Sequence, residues 1–467
     1  MQLSHTLPVV SATFDDPNLV STGGLVPLMS LAQDAGLHAL GDEHLSLPTD
    51  KGANAGAKLA ALVAGMAAGA DSIEDMGLLR HGAMGKLFER PYAPSTLGSF
   101  LRTFTFGHVR QGDAVASRFT LALAGRTGLL GRAGDTGTVL LDLDDTIVEV
   151  HGYAKQGAGF GYSGVRGLNA LLATVSTEQT APVIAAQRLR KGSVGSSRGA
   201  ARLATDALAL VQQPPGRQAG APARRFRVLL CRPGGRRRQG RWAGLDHGAA
   251  GPGGQARHRR DRRGRVDHDQ VHRRDLRPGH RQVGLAGRGR RDRLHRVHLG
   301  QEVRAGHWPA GGAPRPGPEP RAKDGQESMF DPWCFHAFFT TTPATERDTV
   351  ATGQVHRGHA VIENVHADLK ASALAHLPSG KFAANAAWLI AAVMAFNLTR
   401  AAATLTGSTQ LARATTPTIR RKLVNLPARV ASSARRLHLH LPRDWPWEHA
   451  WTVLYDALRP GRAAAPA

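Results

Sequence analysis

An α/β fold, helical at both ends and interrupted in its middle, is what this 467-residue sequence predicts. Two changes of hydrophobic period and one change of composition predict it. Apolar residues recur at helical spacing through the first 130 or so residues, short apolar runs of strand character follow from Thr138 onward, and regular patterning returns at Met329. Between 214 and 320 the chain turns to Arg, Gly, Pro and His, with 26 Arg, no Lys and 8 acidic residues. That tract holds +18 of the chain's +24 formal charge, and it offers little apolar area to offset chain entropy.

The elements follow in order. Residues 25–40 carry Leu28, Leu31, Ala32 and Ala35 at helical spacing, and 57–70 form a small-residue helix suited to close packing. A further helix is predicted from Pro94-Ser95-Thr96, with a hydroxyl cap, through Leu97, Phe100, Leu101 and Phe104. Arg102, His108, Arg110 and Arg118 flank that apolar face, which makes 1–130 either a DNA-binding region or a plain helical bundle with solvated cations. Val139-Leu140-Leu141 opens a central strand, with 147–150 as its continuation or its hairpin partner; 168–175 and 183–189 are two more strands. A helix over 198–210 is expected to bury Ala201, Ala204, Leu208 and Val211. The units are therefore 1–130, 131–213, the low-order tract 214–321, and 322–467.

The pI near 11.3 points to a polyanionic partner, nucleic acid first. Two cysteines, Cys231 and Cys334, cannot build a disulfide framework, and the N-terminus has no leader pattern, so the cytoplasm is expected. The apolar run 382–398 contains Asn385 and Asn397 and falls short of the ~20 residues of a bilayer span. A buried helix is the reading, with no membrane partner.

Chemistry concentrates in two places. Asp142-Leu143-Asp144-Asp145-Thr146 follows an apolar strand. Taken alone, this is also how haloacid-dehalogenase-type phosphatases begin, with Asp142 as nucleophile and Asp144 as acid/base. The Lys and further acidic pair that such enzymes need do not follow in matching contexts. The carboxylates could also merely cap a strand end. Far downstream, His356, His359, Glu363, His366 and Lys370 are spaced 3, 4, 3 and 4 apart, one stripe of a helix, with Val361, Val365 and Leu369 broadly opposite. Three His and a Glu at that spacing could ligate zinc; a solvated histidine face is the plainer alternative. His438 and His440 alternate along one face of a strand.

The flanks make the pattern specific. Val150-His151-Gly152-Tyr153-Ala154-Lys155-Gln156-Gly157 and Gly161-Tyr162-Ser163-Gly164-Val165-Arg166-Gly167-Leu168, with His336-Ala337-Phe338-Phe339-Thr340-Thr341-Thr342 and the Glu363 to Lys370 spacing, resemble bacterial insertion-sequence transposases of the DDE type. The resemblance covers 1–213 and 322 to the end. It implies an RNase H-like catalytic core, which opens with three strands and a helix. It also implies Mg²⁺ (or Mn²⁺) held by Asp144 and Glu363, Asp142 as the alternative first acid, Lys370 on DNA phosphate, and cleavage at element ends followed by strand transfer. The partners are double-stranded DNA, both element ends and target, and a second copy of the chain when active. His356 and His359 stand where the family has an aromatic residue and an Arg.

The family's second Asp ends a strand that would fall near 220–230. Gly220-Ala221-Pro222-Ala223-Arg224-Arg225-Phe226-Arg227 contains no acid, and Asp246 follows no apolar strand. Two cations need the charge of three carboxylates. The abrupt loss and return of family-like sequence points to a shifted reading frame over 214–321 and a catalytically defective copy. The opposed reading is a basic, non-enzymatic nucleic-acid-binding arm, although Phe226, Trp242 and Trp308 are the tract's only aromatics.

Overall fold

The computed structural model describes residues 11–47, 50–89, 91–130, 138–152, 154–161, 163–177, 180–212, 361–434 and 436–458, with the backbone of strands at 227–231, 297–302 and 334–340. The fold is mixed α/β. A short strand β1 (Leu19–Val20) precedes helices α1 (Leu25–Asp34), α2 (Leu37–His44), α3 (Ala55–Ala68), α4 (Met84–Leu87), α5 (Pro94–Arg102) and α6 (Phe106–Thr127). The single helix predicted over 25–40 is two, because Gly36 adopts φ +78 and breaks the first before the second begins. The hydroxyl cap predicted at Pro94 is absent. Ala93 precedes the helix in extended conformation and Pro94 occupies its first turn; the helix stops at Arg102, short of Phe104. The capping box sits one helix later, where Thr105 and His108 satisfy each other's backbone amides.

The main sheet is built from β2 (Thr138–Glu149), β3 (Gly159–Phe160), β4 (Arg166–Ser176), β5 (Val183–Lys191), β6 (Arg227–Cys231), β7 (Val297–Glu302) and β8 (Cys334–Thr340). Residues 147–150 continue β2 rather than turning back. β2 pairs antiparallel with β4, which pairs antiparallel with β5; on its other edge β2 takes β6 in parallel, and β8 and β7 follow antiparallel. Two segments of the Arg-rich tract, β6 and β7, are thus strands; the rest of 214–321 lies outside the described residues. Between β5 and β6 runs α7 (Ala200–Gln212), whose buried face is Leu203, Ala204, Ala207, Leu210 and Val211. Ala201 and Leu208, expected inside, are exposed and half-buried: the helix is rotated from the predicted face.

Beyond the sheet come α8 (Val361–Lys370), α9 (Phe382–Leu405), α10 (Thr409–Ala412), α11 (Thr416–Ile419), strands β9 (Ala428–Ser433) and β10 (Arg436–His440), and α12 (Glu448–Ala457). α9 is long and apolar enough to cross a bilayer, yet it is the buried axis of the fold, with α3, α5, α6 and β5 packed around it. Its two asparagines explain why an apolar run carries amides. Asn397 donates to the Ile184 carbonyl (2.9 Å) and Thr120 Oγ1 (3.0 Å) and accepts from the Ile184 amide (3.0 Å), closing an edge position of β5. Asn385 closes on Ser379 through both its amide atoms.

Candidate active site

β2 carries three aspartates, and the two-residue period of a strand divides them. Asp142 and Asp144 face one side; Asp145 faces the other. Asp145 accepts hydrogen bonds from Asn169 and Arg190, and Arg190 also donates through Nε to Asn169 Oδ1 (2.8 Å) and to the carbonyls of Ser196 and Arg198 in the approach to α7. This carboxylate is fully engaged in holding β2, β4, β5 and the α7 entry together.

The other face meets α8. Ile362, Val365 and Leu369 are buried and seat the helix against the protein, while Glu363 and Lys370 are exposed. His366 is buried, unlike Glu363 and Lys370, and its Nε2 lies 3.6 Å from Asp144 Oδ2. His356 and His359, the upper half of the stripe, lie outside the described residues.

Asp144 is pushed up to about 6, first by burial and then by the negative charges of Asp145, Glu363 and Asp142, with the Asp145 amide partly offsetting them. His366 is pushed down to about 4, by burial and then by the nearby Lys370 charge. It is therefore neutral at pH 7, and its approach to Asp144 is not an ion pair. Burial also lowers Lys370. The fold thus brings Asp142 and Glu363 each within electrostatic reach of Asp144, with His366 between sheet and helix and Lys370 near it.

A pair of cations needs more. Among the described residues no group of three or more His, Cys, Asp or Glu is arranged to hold a metal ion, so the side chains present do not fit a two-metal centre. At the neighbouring position of the parallel strand β6, the residue in register with Asp142 is Cys231.

Sequence reasoning missed one buried ion pair that fixes α8. Asp368 accepts from Arg400 (2.9 Å) and from the amide and hydroxyl of Thr416 (2.8 and 3.1 Å), while Arg400 also donates to the Ala414 carbonyl and lies over the Phe396 ring. An arginine inside an apolar helix, and another (Arg190) inside an apolar strand, were the available signals.

Comparison with curated proteins gave no match. Residues 331–463, which include the helix of Glu363 and Lys370, match the family described as Transposase DDE domain group 1, so the C-terminal region of this chain is similar to a transposase DDE domain.

Proposed function

We propose that the chain is an insertion-sequence transposase, built to cleave element ends and join them to target DNA, and that this copy is catalytically defective. The observation that carries the reading is the DDE-domain match over 331–463, whose Glu363 helix packs on the strand of Asp144. The strand pattern supports an RNase H-like core: three antiparallel strands, a helix, then a fourth strand parallel to the first. β8, antiparallel to β6, is a departure from a sheet continued in parallel.

Asp144 and Glu363 are the acids assigned to the divalent cation, Mg²⁺ or Mn²⁺, that the family's chemistry employs. Asp144 is chosen over Asp142 because its side chain is 24% exposed whereas Asp142 is 1% exposed. The same burial weighs against Asp142 as a phosphatase nucleophile. Lys370, exposed at the end of α8, is assigned to DNA phosphate. The described side chains do not seat two cations, and the proposed defect rests on the lack of an acid in 220–230, where the resemblance puts the third carboxylate.

The test uses purified full-length protein and a plasmid carrying the element's ends, with Mg²⁺ or Mn²⁺. End-specific binding without cleavage is expected. Cys231→Asp puts an acid at the strand position in register with Asp142 and is expected to tighten Mn²⁺ binding by about tenfold, read by titration calorimetry. Strand joining by the unaltered chain that survives Glu363→Gln overturns the assignment of the acids; joining that Glu363→Gln abolishes overturns only the defect. Translating the encoding DNA in its other frames tests the origin of the tract, and a strand ending in Asp is expected.

A further inference from the structure

We propose that the exposed face of the β9–β10 ribbon is a contact surface for duplex DNA. The proposal rests on the transposase reading above, and the hairpin lies within the matched domain. The antiparallel register sets Arg429 opposite His440, Ala431 opposite His438 and Ser433 opposite Arg436. Directly opposed residues share a face, so Arg429, Arg436, His438 and His440 stand together on one side, and all four are exposed. The other side carries Val430, which is buried, and Leu439, half-buried. β10 is an edge strand, paired only with β9.

The charge on this surface is only partly compensated. The side chains of Arg436, His438 and His440 have no ion-pair or hydrogen-bond partner among the described residues, and Arg429 alone meets a carboxylate, Asp16 at 3.3 Å. The imbalance extends along the chain: from Leu369 to Arg443 there are 75 residues with 11 Lys or Arg and no Asp or Glu. A surface tuned only for solubility intersperses both signs. Shape agrees with charge: β1 pairs with β9 only at Ala428 and Arg429, and beyond them β9 and β10 form a two-stranded ribbon of the kind that enters the major groove of B-DNA, about 12 Å wide, where cations displace counterions from phosphate.

The experiment titrates the full-length chain onto a fluorescent duplex of arbitrary sequence, roughly 30 base pairs long, from about 50 to 300 mM KCl. The variant Arg436→Ala/His438→Ala/His440→Ala is compared with Arg202→Ala/His376→Ala/His449→Ala, an equal removal of exposed side chains outside both the ribbon and the 1–130 region. All forms keep the 26 Arg of the central tract, so its unspecific contribution is common to them. The ribbon variant is expected to lower the slope of log K against log salt by about 1 to 2 and to weaken binding about tenfold near 150 mM, with the control unchanged. Arg436→Lys/His438→Lys/His440→Lys is expected to retain the original slope or steepen it, which separates lost charge from lost folding. Wild-type binding by the ribbon variant, or equal losses in both alanine triples, overturns the proposal. Because the duplex is arbitrary, failure to recognise element ends would count against the transposase reading and leave this comparison standing.

Discussion

Asp144 and Asp145 are chain neighbours on one strand, yet they live on opposite faces in opposite conditions. Asp145 is closed in by an amide and a guanidinium, and the guanidinium in turn donates to two carbonyls. Asp144 faces two other carboxylates and an imidazole too buried to take a proton near pH 7. One face is satisfied and holds the sheet together; the other gathers like charge at a cost to the fold. A protein retains such cost where a ligand is to repay it, and this contrast is what separates a structural carboxylate from a candidate catalytic one.

The largest test of the contrast is to open the closed face. Arg190→Met leaves Asp145 buried without its cation, and is expected to cost about 3–5 kcal/mol in urea unfolding. Asp145→Leu added to Arg190→Met should recover most of that loss, because the penalty is an uncompensated charge and not a cavity. Recovery of none would mean that Arg190 matters through the carbonyls of Ser196 and Arg198 instead. Arg400→Met, which strands Asp368, is expected to fall in the same range of about 3–5 kcal/mol for the same reason.

How much of this was legible in the sequence depends on what each residue needed to know. The strands at 138–149, 166–176 and 183–191 were readable because β-branched and aliphatic runs report burial on both faces without reference to partners. The alternation Asp142, Leu143, Asp144, Asp145 also foretold which acids share a side. By contrast, the burial of His366 was hidden, since helical spacing groups it with Glu363 and Lys370 and cannot say which edge of the stripe meets the sheet. The break at Gly36 and the rotation of α7 escaped for a similar reason: each is set by what the helix packs against. The roles of Arg190 and Arg400 needed partners distant in sequence, Asp145 and Asp368, which no local pattern joins.

On the open face, removing charge should help. Asp144 holds its proton to about pH 6 in the folded protein against an ordinary value of 3.8, so between those values the folded state binds more protons than the unfolded one. Stability from this group therefore falls as pH rises through 6 and is regained on acidification. With the side chain 24% exposed, solvent screening trims the effect. Asp144→Asn is expected to gain about 1–2 kcal/mol at pH 7, a gain that disappears near pH 4. A loss of stability at pH 7 would place Asp144 with Asp145, among the residues that hold the fold.

His366 works in the reverse sense and sharpens the comparison further. Its folded value near 4 lies below the usual 6.5, so the stability it contributes is complete above pH 6.5 and is lost as pH falls toward 4. Over about pH 4–6 this loss opposes the gain from Asp144 next to it, and the two flatten the acid limb of the unaltered protein. His366→Leu removes the loss and keeps the buried volume apolar, so its stability should rise by about 1 kcal/mol between pH 6.5 and 4.5. Asp144→Asn should fall over the same interval, with the unaltered chain between them. Asp113, also raised to about 6 mainly by burial, lies with Arg110, Gln187 and Arg188, outside the Asp144 site, and adds the same background to all three curves. Parallel curves would mean that His366 and Asp144 are not the groups titrating, and the distinction between the two faces of β2 would lose its electrostatic basis.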